Sequence, residues 1–194
     1  MPEGTYRITD TLRLSDAAKA KQALIGVMLI GDGALTRIVW VGPADPQARM
    51  LLSDGATASR FDGIVFDGAN KAGVGIDHAA AKTFETEVDH FSLSFCNLPN
   101  AGIRVGTTSV ASAEMNYKNC VFTRCESGIQ ILASNDLDNV IAGCEFQQCN
   151  RGVVLGYQAN GYIRNCHFNG STTTDIIGYN PMSPCSIRRE PRSR

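Results

Sequence analysis

Asn119-Cys120-Val121-Phe122 returns as Gly143-Cys144-Glu145-Phe146 and again as Asn165-Cys166-His167-Phe168. The first two copies are each followed by a glycine and a short apolar run, Gly128-Ile129-Gln130-Ile131 and Gly152-Val153-Val154-Leu155; the third has Asp175-Ile176-Ile177 in that place. Walking backwards, Phe95 precedes Gly102-Ile103-Arg104-Val105, and Phe66 precedes Gly73-Val74-Gly75-Ile76. The successive anchors Phe66, Phe95, Phe122, Phe146 and Phe168 are 29, 27, 24 and 22 residues apart. An internal period of this length is the mark of a solenoid.

Other positions repeat with the anchor. Two residues before it stand Ile64, Leu93, Cys120, Cys144 and Cys166; five before stand Phe61, His90, Tyr117, Ile141 and Ile163; three after stand Ala69, Leu98, Cys125, Cys149 and Ser171. Rows of like residues are what stacked coils require, because each coil buries its inward side chains against the coils above and below. The runs alternate at period two, as in Ile129 inward, Gln130 outward and Ile131 inward. Glycine punctuation and β-branched content replace any 3.6-residue period, which excludes a helical repeat from residue 56 onward. The expected fold is all-β: a right-handed, single-stranded parallel β-helix with coils of about 22–29 residues.

The cysteines fall within this scheme. Seven are present, an odd number without CxxC spacing, which fits neither a closed disulfide framework nor a familiar zinc site. Cys120, Cys144 and Cys166 are expected to stack inside one corner and Cys125 with Cys149 inside another, as small buried hydrophobes in a cysteine ladder. Stacked thiolates around a soft metal ion are the competing reading, disfavoured because a line of thiols is not a tetrahedral cage. No metal ligands are assigned.

Composition limits the partners. Lys plus Arg total 18 and Asp plus Glu 19, a net charge of -1 that gives no electrostatic reason to expect nucleic acid or an anionic membrane. No stretch approaches the roughly 20 apolar residues of a membrane-spanning helix. Met1-Pro2-Glu3-Gly4 does not itself read as a secretory signal.

At its N-terminal end the chain reads Pro2-Glu3-Gly4-Thr5-Tyr6-Arg7-Ile8 and then Leu29-Ile30-Gly31-Asp32-Gly33. With the later Cys/Phe repeat, these stretches resemble the pectate-lyase-like superfamily, whose first coils carry a P-x-G-T-Y-x-I strand and an L-x-G-x-G turn. The resemblance covers most of residues 2 to 178 and implies a β-helix that binds or cleaves an extended, often acidic, polysaccharide, with calcium as the candidate ion. It also implies export, so the parent protein is expected to be secreted or on the cell surface. The family's N-terminal capping helix has no counterpart, and its catalytic domains continue for several more coils, so the chain is expected to be a fragment.

The expected organisation is a β-helix over residues 1–178, with first coils 1–55 and regular coils 56–178. A basic tail, 179–194, is expected to be disordered, in preference to a nucleic-acid arm. Ser15 to Ala23 is expected to project as one or two helical turns, and Gly42 to Ser59, with Pro43 and Pro46, as an irregular excursion.

The strand after the glycine is the expected ligand face. Its outward rows read as Gly75, Arg104, Gln130, Val154 beside Asp77, Gly106, Leu132, Gly156, with His78 and Arg151 in flanking turns. Arg104 is the candidate to hold a uronate carboxylate or act as the base of a lyase, and Asp77 to bind calcium or serve as an acid; Gln130, His78 and Arg151 are candidate substrate contacts. The bland alternative is an Asp77–Arg104 ion pair between neighbouring coils. Glycoside hydrolysis ordinarily needs two carboxylates, and this face shows one.

Asp136 and Asp138, in Asn135-Asp136-Leu137-Asp138-Asn139, are further candidates for calcium or substrate, against the commoner reading of an Asx-rich turn. His90 either occupies the Phe61 row or yields it to Phe91 by a slip of register, and His167 points outward. Three functions follow: a carbohydrate-active lyase or hydrolase fragment, a non-catalytic polysaccharide-binding or adhesion solenoid of the phage tailspike or cell-surface type in which a homotrimer is the candidate assembly, and a truncated scaffold.

Overall fold

A computed structural model describes residues 1–14, 24–53, 55–78, 86–87, 89–106, 112–132, 137–156, 159–178 and 186–188. Over these the chain winds as a parallel β-solenoid whose strands stack in three faces. One face holds Met28–Ile30, the start of Arg60–Asp67, the start of His90–Val105, Asn116–Lys118, Asn139–Ala142, Gly161–Arg164 and Ser186–Arg188. The second holds Gly4–Ile8, Thr36–Trp40, the end of Arg60–Asp67, the middle of His90–Val105, the start of Val121–Ile131, Glu145–Gln147 and His167–Asn169. The third holds Leu12–Arg13, Asp45–Ser53, Ala72–His78, the end of His90–Val105, the end of Val121–Ile131, Arg151–Leu155 and Thr174–Gly178. Every strand pairing is parallel, and among the described residues there is no α-helix. The expected helical turns at 15–23 lie outside the described residues, as does most of the tail.

The phenylalanine anchors form a continuous stack. Phe66, Phe95, Phe122, Phe146 and Phe168 pair in register, with ring centroids 5.5, 5.2, 5.0 and 4.8 Å apart and near-parallel planes. Offset stacks of this kind add to the burial of large apolar side chains. The glycine that follows each anchor has a specific reason. A Cβ on Gly102 would lie 2.5 Å from Phe122 Cδ1, and one on Gly128 would lie 2.5 Å from Phe146 Cδ1, so each glycine makes room for the next coil's ring.

That contact fixes the register and corrects the alignment of the first regular coil. Gly75, not Gly73, occupies the glycine row, since its Cβ would meet Phe95 Cδ1 at 2.6 Å. Gly73 answers to a different neighbour: a Cβ there would lie 1.8 Å from the Pro46 carbonyl oxygen. Ile76 therefore pairs with Ile103, and Asp77 with Arg104.

The second row resolves in favour of Phe91. Phe61, Phe91 and Tyr117 stack at 5.0 and 5.3 Å, while His90 is exposed. An irregularity in the pairing with Arg60–Asp67 accounts for the slip: Ser92 pairs with Asp62 but Ser94 with Val65. The preceding coil carries the additional residue, and Gly63 takes a φ of 65° there.

The stretch Gly42 to Ser59 is mostly strand rather than an irregular excursion. Asp45–Ser53 pairs with Ala72–His78 after a register shift between Asp45 and Arg49, which accommodates Pro46, and Met50, Leu51 and Leu52 are buried. Apolar burial of three successive residues outweighs the local effect of the prolines. Beyond residue 178, Ser186–Arg188 pairs with Tyr162–Arg164.

The six described cysteines are free. Thiols of Cys120, Cys144 and Cys166 donate to the carbonyls of Phe91, Tyr117 and Ile141 at 3.4, 3.5 and 3.6 Å. Those of Cys125 and Cys149 donate to Phe95 and Phe122 at 3.9 and 3.6 Å. The Cys149 thiol and then burial hold Cys125 well above the ordinary thiol range. A buried thiol raised in this way is inert rather than nucleophilic.

Candidate ligand-binding face

The third face brings Asp77, Arg104, Gln130, Val154 and Ile177 into a single outward row, where the sequence reading had divided Asp77 from Arg104. Arg104 holds Asp77 with two nitrogens, Nε to Oδ1 at 3.0 Å and Nη2 to Oδ2 at 2.7 Å. Arg49, one coil earlier, pairs with the same carboxylate through Nε at 2.8 Å. Asp77 is 1 % exposed, whereas the side chains of Arg49 and Arg104 are 39 % and 17 % exposed. One buried carboxylate thus fixes two guanidinium groups that still reach solvent.

Charge-assisted, forked pairs of this kind impose geometry as well as energy. Hydrogen bonding to Asp77 raises the Arg104 pKa above its ordinary value, so Arg104 stays a cation. Arg49 was missed from the sequence because its segment was expected to be irregular. The Met50-Leu51-Leu52 run, aligned on Ile76 and Asp77, was the available signal.

Gln130 donates to Ser127 Oγ at 3.1 Å and Asn100 Oδ1 at 3.4 Å. Arg151, the first residue of its strand rather than part of a turn, pairs with Glu126 at 2.5 Å, and Glu126 also accepts from Asn150. The row ends in Val154 and Ile177, so its polar part is confined to the first coils.

His78 departs from its expected place. It closes strand Ala72–His78 and is fully buried. Its Nδ1 lies 3.0 Å from Ser53 Oγ and its Nε2 lies 2.9 Å from Asp89 Oδ2. The other Asp89 oxygen accepts the Ser59 N–H at 2.6 Å. The imidazole lies T-shaped to both stacked rings, with centroids 6.0 Å from Phe61 and 5.2 Å from Phe91. Because the Asp89 carboxylate accepts, Nε2 carries a proton, and in the neutral ring Nδ1 accepts from the Ser53 hydroxyl.

Ser53, His78 and Asp89 stand in the order of a hydrolase relay, yet each is 0 % exposed. In this position the chain satisfies polar groups that burial would otherwise leave unpaired. Nothing in the sequence joined these residues, since only the coil register does.

Asp138 is an exposed turn residue with a φ of 56°, and its N–H donates to Asn160 Oδ1 at 2.6 Å. Asp136 lies outside the described residues. Among the described residues no group of three His, Cys, Asp or Glu is arranged to hold a metal ion, and no helix is long and apolar enough to cross a membrane.

Residues 50–182 match the family model described as "Right handed beta helix region". The chain belongs to that family, and the pectate-lyase-like superfamily is consistent with it. No curated protein matches. Among solved structures the chain is similar to one titled "Geobacillus virus E2 - ORF18", at 13 % identity and a TM-score of 0.40, covering 92 % of this chain and 51 % of the other. The chain therefore spans about half the length of that viral protein.

Proposed function

We propose that this β-helix binds an extended acidic polysaccharide along its third face and holds it without cleaving it. The observation that carries this reading is the sharing of one buried carboxylate, Asp77, by Arg49 and Arg104. The two positioned cations belong to the coils on either side of Asp77, two strand spacings of about 4.8 Å apart, which suits carboxylates or sulfates repeated along an extended chain. Gln130 and Arg151 extend the contact along the same face.

Cleavage has less support from the same geometry. Proton abstraction calls for a group whose pKa lies near the working pH, and Asp77 moves Arg104 the other way. Asp77 itself is buried with both oxygens engaged, which leaves it poorly placed as an acid towards a ligand outside. The substrate class rests on the superfamily resemblance, and that resemblance also supports reading the parent protein as secreted or on the cell surface.

Affinity gel electrophoresis of the purified chain in polygalacturonate, alginate and neutral dextran tests the proposal. Retardation by an acidic polymer, reduced in Arg49→Gln/Arg104→Gln and unaccompanied by unsaturated products with or without calcium, is the expected result. Unsaturated products that vanish in Arg104→Ala would replace binding with elimination.

A further inference from the structure

A groove of about 400 Å³ lies on a different face, over the first strands of the coils, where Phe61 and Phe91 join a polar lining of Arg60, Asp62, His90, Ser92, Asn116, Lys118 and Asn119. Its size falls within the roughly 300–1,000 Å³ of small-ligand sites. The groove runs across successive coils: Arg60 pairs with His90, and His90 with Asn116. The same row continues through Val140 to Tyr162, an aromatic side chain that is 51 % exposed. Beside it, the row of Lys118 continues through Ala142 to the exposed Arg164.

We infer that this groove, continued by Tyr162 and Arg164, is a second binding site that takes a short anionic oligosaccharide laid along the solenoid axis. Three features of the face select that ligand. Arg60, Lys118 and Arg164 are cations, and among the described residues lining the groove Asp62, which pairs with Arg60 at 2.5 Å, is the one carboxylate. Ser92, Asn116 and Asn119 offer both donors and acceptors, the pattern that sugar hydroxyls need. An exposed Tyr ring presents an apolar surface with a polar tip, suited to the face of a pyranose. A nucleic acid would call for a denser cationic track than three residues over five coils.

The site does not depend on the Asp77 face, because the two lie on different faces of the solenoid. Backbone amide shifts of the full 15N-labelled chain separate them. The probes are oligomers of galacturonate, alginate and sulfated dextran, with neutral dextran oligomers as the control. At least one acidic series should shift the amides of Arg60–Asp62, His90–Ser92, Asn116–Asn119 and Tyr162, and neutral dextran should not.

Arg60→Gln/Lys118→Gln should weaken that binding about ten-fold or more, as expected for lost charge-assisted bonds, with the thermal midpoint unchanged. Tyr162→Ala should weaken it too, while Arg49→Gln/Arg104→Gln should leave it as it was. Absence of groove shifts with all three acidic series, or shifts that the Arg60/Lys118 double variant retains in full, would overturn the site. Groove shifts without any response around Arg104 would uphold this inference and reject the reading of the Asp77 face.

Discussion

Arg104 crosses one coil boundary to hold Asp77 at both carboxylate oxygens, at 3.0 and 2.7 Å. Two coils are thereby tied through a group that solvent does not reach. Removing one member of a buried pair costs about 3–5 kcal/mol, and arginines with access to water moderate that cost. Asp77→Asn is therefore expected to lose about 2–3 kcal/mol, from the shift of the urea midpoint. A loss no larger than the ~0–1 kcal/mol of a surface pair would show that Asp77 anchors nothing.

Buried His78 joins Ser53 to Asp89. His78→Ala would remove a partner of the Asp89 carboxylate and open a cavity beside the stacked Phe61 and Phe91 rings. Its cost should reach about 3 kcal/mol or more, against about 1 kcal/mol for Ser53→Ala, which forfeits one neutral hydrogen bond. Equal costs in denaturant titrations would mean that the chain of polar groups is not cooperative.

Two carboxylates predict acid sensitivity. Burial pushes Asp67 up, but bonds from Asn97, Arg37 and the Ala69 N–H outweigh it and hold Asp67 below the usual range. Burial likewise opposes Glu126, and Arg151 and Asn150 prevail. A depressed folded pKa stabilises above the unfolded value, about 3.9 for Asp and 4.3 for Glu, and that contribution disappears as pH falls through the folded value. Thermal midpoints followed from pH 6 downward should drop across this window, and less steeply in Asp67→Asn/Glu126→Gln. An unchanged slope in that variant would assign the acid sensitivity to other groups.

The glycine row gives a contrast within one residue type. A Cβ on Gly128 would lie 2.5 Å from Phe146 Cδ1 and 2.8 Å from the Gly152 carbonyl, whereas nothing lies within 4 Å of one on Gly178. Overpacking of a rigid core costs about 1–3 kcal/mol, so Gly128→Ala should lower the melting temperature by several degrees and Gly178→Ala should barely move it. Similar melting curves for the two variants would remove the steric account of the Phe/Gly repeat.

That repeat made the fold legible. Phe122, Phe146 and Phe168 recur because each coil must stack a ring on the last, and Gly102, Gly128 and Gly152 recur because those rings need the space. Register was harder to read where local signals compete. Gly73 and Gly75 both fit a glycine row, and only the approach of Phe95 to Gly75 and of Pro46 to Gly73 separates them. His90 and Phe91 are adjacent, and the irregularity beside Gly63 decides between them. The site suffered most, because a two-residue offset concealed the Asp77–Arg104 row. Ser53, His78 and Asp89 meet only through the stacking of coils, which no local spacing encodes.

Whether Asp77 holds Arg49 and Arg104 to meet an acidic glycan is tested most directly by isothermal titration of the full chain in an Arg60→Gln/Lys118→Gln background, which removes the groove cations, with galacturonate, alginate and sulfated-dextran oligomers. An acidic series should bind, more weakly as salt rises, and Arg104→Gln should reduce the affinity about ten-fold or more, the equivalent of ~1.4 kcal/mol, while Val154→Thr on the same row leaves it within about two-fold. Affinity unchanged by Arg104→Gln, or no binding of any acidic series by the folded chain, would contradict the account.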